Sequence, residues 1–186
     1  MKNLFLHACC APCSIYPLKT LKTKDPSLSV LLWYYNPNIH PSSEHGRRRD
    51  ALSYLVHSQG KFLPREGTPV EVDFGAPYDA KLFLERAAKA ESREERCRAC
   101  YDLRLKATAG EAKKRGYERF SSTLLFSVKQ SHEDIVSLAR EAAELNDVEF
   151  YYEDFRVGHK EGRALSFALD IYRQRHCGCV YGEAGL

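Results

Sequence analysis

Three cysteines stand within five residues near the start of the chain, at positions 9, 10 and 13, directly after the apolar run Leu4-Phe5-Leu6. The run is typical of a short buried strand, and Pro12 makes continuation of that strand unfavourable. The thiols are therefore predicted to lie on the turn at the carboxyl end of the strand. In open α/β sheets that edge is where ligands bind. We expect the rest of the chain to be organised around these thiols.

The four other cysteines form two short pairs, Cys97-x-x-Cys100 and Cys177-x-Cys179. The N-terminal residues do not resemble a signal peptide, and no apolar run approaches the roughly 20 residues that cross a bilayer. We therefore expect a cytoplasmic protein without a membrane partner. In a reducing compartment, clustered cysteines are more often metal ligands or redox catalysts than structural disulfides.

Strand and helix patterns alternate along the 186 residues, a length that suits one domain. Strands are predicted at 4–6, 29–35, 70–72, 119–125 and 149–152. Helices are predicted at 14–24, 41–60, 78–89, 97–116, 131–145 and 162–173. This alternation indicates an α/β fold, a mainly parallel sheet flanked by helices, in a single catalytic domain over residues 1–186.

Charge by itself does not identify a partner. The formal net charge is only +3, from 28 lysines and arginines against 25 acidic residues, which does not indicate nucleic-acid binding. Local basic clusters at 47–49, at 113–115 and at 173 and 175 are each typical of a solvated helix face. They would matter for binding only if folding collects them on one surface.

Two of the cysteine groups can supply a metal site. Cys97 and Cys100 are spaced i, i+3, so their sulfurs share a face of one helical turn. With Cys9 and Cys10, whose sulfurs can converge in a turn, four thiolates are available, the usual complement of a [4Fe–4S] cluster or a structural zinc. The presence of three further cysteines favours iron–sulfur. Cys13 is equally well interpreted as a small buried hydrophobe.

The last pair suits a different role. Cys177 and Cys179 flank one glycine, a spacing that chelates zinc poorly but suits a strained, reducible disulfide of the labile, catalytic kind. Gly178 is expected to make this segment mobile.

Several polar residues near predicted strand ends are candidates for substrate binding. These candidates are Asn38, His40, Asp154, Arg156 and Arg173. Asn38 and His40 follow the second strand on the same predicted edge as the first cysteines, and Glu44 is also free to act there. His7, inside an apolar run, is better interpreted as a hydrogen-bonded core residue than as a ligand.

Taken together, the motifs resemble one known family. They are Leu6-His-Ala-Cys-Cys-Ala-Pro-Cys13, Tyr35-Asn-Pro-Asn-Ile39, Arg96-Cys-Arg-Ala-Cys-Tyr101 with Arg104-Leu105, Ser122-Thr-Leu-Leu125, Asp154-Phe-Arg156 and Tyr172-Arg-Gln-Arg-His-Cys-Gly-Cys-Val-Tyr181. In this order they resemble the epoxyqueuosine reductase family of QueH type, from Leu6 to Tyr181. A lone C-x-x-C is unspecific, whereas the ordered set is highly specific.

The resemblance implies the last step of queuosine biosynthesis, in which the cyclopentane epoxide of epoxyqueuosine at the wobble position of certain tRNAs is reduced to the alkene. It implies tRNA carrying that nucleoside as a partner, together with an external electron donor. The implied fold is similar to adenine-nucleotide α-hydrolase-like (HUP-like) sheets. The cysteine motif stands in the first turn, where this sequence has no S-G-G-x-D-S phosphate loop.

The resemblance also implies roles for the cysteines. It implies that Cys177 and Cys179 form a redox-active pair. It also implies that some members hold a second metal ion, a mononuclear iron, beside their iron–sulfur cluster. The implied ligands of the [4Fe–4S] cluster are Cys9, Cys10, Cys97 and Cys100.

Two other functions stay open on the residues alone. A zinc-stabilised nucleic-acid-binding module without catalysis would use the same four thiolates. A thiol oxidoreductase of protein disulfides would use Cys177 and Cys179 but leaves the other cysteines unexplained. Brown, iron-containing protein favours the reductase, whereas colourless protein with stoichiometric zinc favours the module.

Overall fold

A parallel sheet forms the centre of the computed structural model, which describes residues 3–64 and 66–183. Within these residues its five strands are β1 (Asn3–His7), β2 (Ser29–Trp33), β3 (Val70–Asp73), β4 (Arg119–Ser122) and β5 (Glu149–Phe150). They lie in the order β3-β2-β1-β4-β5, and every pair of neighbours is parallel. The predicted mainly parallel sheet is confirmed.

Helices connect the strands. They are α1 (Ala11–Lys24), α2 (Ser42–His57), α3 (Ala80–Ala87), α4 (Arg93–Lys114), α5 (His132–Asn146), α6 (His159–Ala168) and α7 (Val180–Glu183), with 3₁₀ turns at Gln59–Lys61, Thr123–Phe126 and Phe155–Gly158. Helix α4 begins four residues before its predicted start, because the Ser92 side chain caps it by accepting a hydrogen bond from the Glu95 amide. The short α7 was not predicted.

The strand order explains where a site can form. Connections from β1 lead first to β2 and β3 on one side, and the chain then crosses to β4 and β5 on the other. Ligands of such doubly wound sheets bind beyond the carboxyl ends of the strands at this switch point, here between β1 and β4. The thiols that follow β1 are therefore at the expected place, and the arrangement is consistent with the predicted HUP-like core.

The central strand is also the most deeply buried. Leu4, Phe5 and Leu6 are at most 1% exposed, as a strand covered on both faces should be. Helix α1 packs against α2 and α6, while α4 packs against α3 and α5. These two groups cover the two faces of the sheet, as right-handed crossovers to opposite sides of β1 require.

Across the described ranges, no helix combines the length and apolar character needed to span a membrane.

Candidate metal and redox site

Three thiols converge where β1 turns into α1. Their Sγ atoms all lie within 4.8 Å of one another. Cys10 is the N-cap of α1, and Pro12 occupies the first turn, where the missing amide hydrogen costs nothing. Cys10 and Cys13 are therefore spaced i, i+3 at the helix start, and Cys9 precedes them at the end of the strand. Cys13 is only partly buried and its sulfur is grouped with two others, so the structure does not favour its interpretation as a small buried hydrophobe.

Hydrogen bonds favour a thiolate at Cys9. Its backbone amide donates to Thr123 Oγ1 at 3.0 Å, and the Thr123 hydroxyl in turn donates to Cys9 Sγ at 3.3 Å. Hydrogen bonding from the thiols of Cys10 and Cys13 lowers the pKa of Cys9 well below its ordinary value. Burial raises the pKa of Cys10, and hydrogen bonding to its two neighbours raises that of Cys13. Because the thiolate is the form that binds metals, Cys9 is the member of the group that is held in the metal-binding form.

Arg104 supplies a buried positive charge beside these thiols. It is 2% exposed and lies one helical turn after Cys100, whose carbonyl oxygen accepts a hydrogen bond from Arg104 Nε at 3.2 Å. The thiols of Cys100, Cys9 and Cys177 raise the pKa of this guanidinium, against the effect of burial. No carboxylate within the described part of the chain forms an ion pair with it.

A buried cation without a carboxylate partner is costly unless another anion offsets its charge. The anions that this site can offer are thiolates, either free or bound to a metal. The donor set therefore fits a negatively charged metal–thiolate group such as an iron–sulfur cluster.

Cys97 and Cys100 lie on α4, the helix that also carries Arg104. Burial raises the pKa of Cys100 to about 11, with the Arg104 charge acting in the opposite direction. Cys100 packs in a small apolar cluster with Leu103 and Cys179, whereas Cys97 packs against the main core. Among the described residues, the group of sulfurs within 4.8 Å contains only the three N-terminal cysteines. The four-cysteine ligand set thus stays a prediction.

Cys177 and Cys179 are both free, and their sulfurs lie 3.5 Å apart. Hydrogen bonding from Cys179 lowers the pKa of Cys177 to about 5, helped by the charges of Arg104 and Arg48, while the pKa of Cys179 is raised. The pair therefore combines one thiolate with one protonated thiol at neutral pH. This is the combination that a two-electron dithiol donor needs.

Gly178 packs closely instead of providing mobility. Its φ angle is +106°, and a Cβ would lie 2.9 Å from Arg48 Nη1 and 3.0 Å from Ile39 Cγ1. Its carbonyl oxygen accepts a hydrogen bond from the His40 amide at 2.8 Å. The segment around Gly178 is therefore held by close contacts and a hydrogen bond, in contrast to the expected mobile segment.

Arg48 also binds the segment that contains Gly178. Its Nη1 and Nη2 atoms donate to the carbonyl oxygens of Cys177 at 2.9 Å and His176 at 3.2 Å. Its Nε donates to Glu44 Oε1 at 2.7 Å, and Glu44 Oε2 accepts from the Tyr172 hydroxyl at 2.7 Å. Both charged side chains are nearly inaccessible, 3% and 9% exposed. Glu44 and Arg48 therefore position the segment that carries Cys177 and Cys179, and the expected solvated role of position 48 is wrong.

The other predicted substrate residues lie in different environments. Arg173 lines the cleft described below. Asn38 is 2% exposed, and its Oδ1 has no hydrogen-bond partner among the described residues. Asp154 accepts hydrogen bonds at 2.8 and 2.7 Å from Arg156, and this pair caps a 3₁₀ turn and is not among the residues that line the cleft. The substrate roles of these residues and of His40 stay predictions.

His7 is a core residue, as expected. Its Nε2 donates to the Tyr35 carbonyl at 3.0 Å, so its Nδ1 accepts from the Ser122 hydroxyl at 2.9 Å. Burial, assisted by the charge of Arg104, lowers the pKa of His7 to about 4. The neutral ring thus ties β1 to the ends of β2 and β4 directly beneath the thiols.

A cleft of about 690 Å³ opens over the site. Cys9, Cys13 and Cys177 all line it, so one thiol of the C-terminal pair and two of the N-terminal thiols face one space. Gln174, which also lines the cleft, donates from Nε2 to Cys10 Sγ at 2.8 Å.

Sequence reasoning missed the roles of Arg48 and Arg104. The i, i+4 spacing of Glu44 and Arg48 is the signal that could have indicated their ion pair. No local signal marks the burial of Arg104, which lies four residues after Cys100.

Residues 4–185 match the family model described as epoxyqueuosine reductase QueH. Proteins named epoxyqueuosine reductase QueH are similar over nearly the whole chain. The one from Dehalococcoides mccartyi is 39% identical over 181 residues, covering 97% of this chain and 92% of its own length. Those from Thermotoga maritima and Staphylococcus epidermidis are each 32% identical, covering 97% and 96% of this chain and 90% and 75% of their own lengths.

Proposed function

Because the chain belongs to the epoxyqueuosine reductase QueH family, we propose that it reduces the cyclopentane epoxide of epoxyqueuosine to the alkene of queuosine. The substrate would be the nucleoside at the wobble position of tRNA. The family match supports this reductase activity and does not support a zinc-stabilised binding module. The observation that carries the proposal is the shared cleft, because Cys177 lines it together with Cys9 and Cys13.

The reaction balances with a dithiol as the electron source. Conversion of the epoxide to the alkene breaks two C–O bonds and consumes two electrons and two protons, and the oxygen leaves as water. Oxidation of the Cys177 thiolate and the Cys179 thiol to a disulfide releases two electrons and one proton, and solvent supplies the second proton. Their sulfurs, 3.5 Å apart, need little movement to form that bond. An external reductant of the dithiol class then restores the pair.

The site also fits the cluster that the family resemblance implies. Its ligands would be Cys9, Cys10, Cys97 and Cys100, and when bound it would supply single-electron transfer. Cys13 is a further candidate ligand because its sulfur lies within 4.8 Å of those of Cys9 and Cys10.

The surrounding residues have definable tasks. Arg104 offsets the negative charge of the thiolates that face it, and Gln174 orients the Cys10 sulfur by a hydrogen bond. Arg48 holds the carbonyl groups of residues 176 and 177, so that the pair stays against the cleft. In a cleft partly screened from water these charges act strongly on bound groups. The cytoplasmic location expected from the sequence stays a prediction.

The test separates the ligands from the redox pair. We expect the double variant Cys177→Ser/Cys179→Ser to keep wild-type iron content and visible absorption while losing conversion of epoxyqueuosine in tRNA. The Cys97→Ser and Cys100→Ser variants should lose both iron and conversion. Iron per monomer and nucleoside analysis of the digested tRNA measure the two properties.

Three outcomes would contradict the proposal. Loss of iron in the double variant would make the pair ligands, and full conversion by it would make the pair incidental. Wild-type iron content in Cys97→Ser or Cys100→Ser would remove that residue from the ligand set.

A further inference from the structure

The lining of the cleft is strongly one-sided in charge. Among the described residues no aspartate or glutamate lines it, although the chain has 25 acidic residues against 28 lysines and arginines. Six of the lining residues are basic, namely Arg48, Arg104, Lys129, Arg163, Arg173 and Arg175. The first two are buried at the thiols, whereas the other four are exposed. This exposed set is a cationic rim that attracts a polyanion.

An aromatic ring stands within this rim. Phe167 on α6 is 52% exposed and lines the cleft. The guanidinium carbon of Arg173 lies 4.0 Å from the centre of its ring, and that of Arg163 lies 5.8 Å away. Arg173 is fixed in this position because its Nη1 donates to the carbonyl oxygens of Ser166 at 3.1 Å and Ile171 at 2.8 Å. The ring and the two cations therefore form a preassembled surface.

Such a surface has the chemistry of a nucleotide subsite. Nucleobases stack on aromatic rings and on guanidinium planes, and the same guanidinium groups pair with phosphates. A lone half-exposed phenylalanine would need no explanation. Here the ring is flanked by two arginines at the mouth of the cleft that holds the thiols, and this combination is specific.

We infer that Phe167, Arg163 and Arg173 bind a nucleotide next to the modified one in a single-stranded RNA loop, the base on the ring and the phosphate on the arginines. The inference rests on the proposed function, because a loop nucleotide that enters the cleft leaves its covalent neighbours at the rim. An acidic peptide would use the cations but would have no use for the exposed ring.

The experiment measures binding of the full-length protein to an unmodified tRNA anticodon stem-loop by fluorescence anisotropy. Phe167→Ala should weaken binding by about fivefold to a hundredfold, the range for loss of one stacked base, whereas Phe167→Trp should retain it. Tyr54→Ala is the matched control. Tyr54 is 46% exposed with Lys61 Nζ 5.9 Å from its ring centre, but it is not among the residues that line the cleft.

The arginines are tested through salt. Arg163→Gln should reduce the slope of log affinity against log salt by about one, as loss of a phosphate contact requires. Arg140→Gln changes an exposed arginine of α5 that is not among the cleft-lining residues, and it should leave the slope unchanged. An RNA with one abasic loop nucleotide identifies the stacked base. At the correct position it should bind wild type as weakly as Phe167→Ala binds the intact loop, and it should bind Phe167→Ala no more weakly than the intact loop does.

Several results would overturn the inference. Equal binding by wild type and Phe167→Ala would do so, as would an equal loss in Tyr54→Ala or a loss in Phe167→Trp as large as in Phe167→Ala. Polyglutamate that displaces RNA from both wild type and Phe167→Ala with equal potency would show recognition of charge alone. Conversion of epoxyqueuosine is measured in parallel. Wild type that binds RNA through Phe167 but converts nothing would contradict the proposed function and leave this inference intact.

Discussion

The buried ion pair between Glu44 and Arg48, which binds the backbone of residues 176 and 177, allows one prediction to be worked out in detail. In the Arg48→Met variant, the side chain keeps much of its apolar volume but loses its charge and its three hydrogen bonds, to Glu44 and to the carbonyl groups of residues 176 and 177. Glu44, with its side chain 9% exposed, then retains only the Tyr172 hydroxyl as a partner.

Removing one partner of a buried ion pair costs about 3–5 kcal/mol, because the other charge is left uncompensated. We therefore expect the free energy of unfolding of Arg48→Met to fall by about that amount. Adding Glu44→Gln removes the stranded charge, so the double variant should be more stable than the sum of the two single changes predicts, by about 1–3 kcal/mol. Arg49→Met is the control, because Arg49 pairs with Asp50 at the surface and such pairs contribute about 0–1 kcal/mol.

The assay is urea unfolding of the five proteins (wild type, the two single variants, the double variant and the Arg49→Met control) at equal iron content, combined with hydrogen exchange of the amides at 176–182. Exchange there should accelerate in Arg48→Met before global unfolding, because the segment loses two of its anchoring hydrogen bonds. A loss of stability below about 1 kcal/mol in Arg48→Met would refute the reasoning. Strict additivity in the double variant would refute it as well.

Three further predictions follow from the same site. His7 has a pKa lowered to about 4 by burial, so its ring binds more protons in the unfolded chain below pH 6.5. Its contribution to stability should fall by about 2 kcal/mol from pH 8 to pH 5, and His7→Asn should remove that part of the pH dependence in urea unfolding, leaving the part due to His45, whose pKa burial also lowers to about 4. The pKa of Cys177 is lowered to about 5, so its alkylation rate by iodoacetamide, followed by mass spectrometry, should change little between pH 8 and 6, whereas an ordinary thiol slows roughly a hundredfold; a similar slowing at Cys177 would contradict the assignment. Gly178→Ala should cost about 1–3 kcal/mol, seen as a lower thermal midpoint, because of the positive φ angle and the contacts with Arg48 and Ile39; an unchanged midpoint would show that the segment adapts freely.

Much of the fold follows from local patterns. The apolar run at 4–6 and the strong apolar segment at 29–35 each predict a strand whatever else the chain does, and their alternation with helical segments predicts parallel pairing. The position of Cys9 and Cys10 after the first strand then places them at the ligand-binding edge. All five predicted strands are present, with ends that differ by a few residues.

The start of α4 shows the limit of such patterns. The prediction began at Cys97, where the motif begins, but the Ser92 cap and the acidic first turn start the helix at Arg93. Cys97 and Cys100 therefore lie in the second turn of α4 rather than at its start.

The sequence by itself determined the elements, their parallel sense and the family, because strand and helix periodicity and the spacing of cysteines are properties of contiguous residues. Only the tertiary structure decided which charges are buried. Arg48 and Arg49 are adjacent and chemically identical, yet one binds the carbonyl groups of residues 176 and 177 and the other is exposed to solvent. The sequence predicts a mobile segment at Gly178, whereas Arg48 and Ile39, distant in sequence, pack closely against it. Burial and close approach depend on residues that folding brings together, and no local pattern records them.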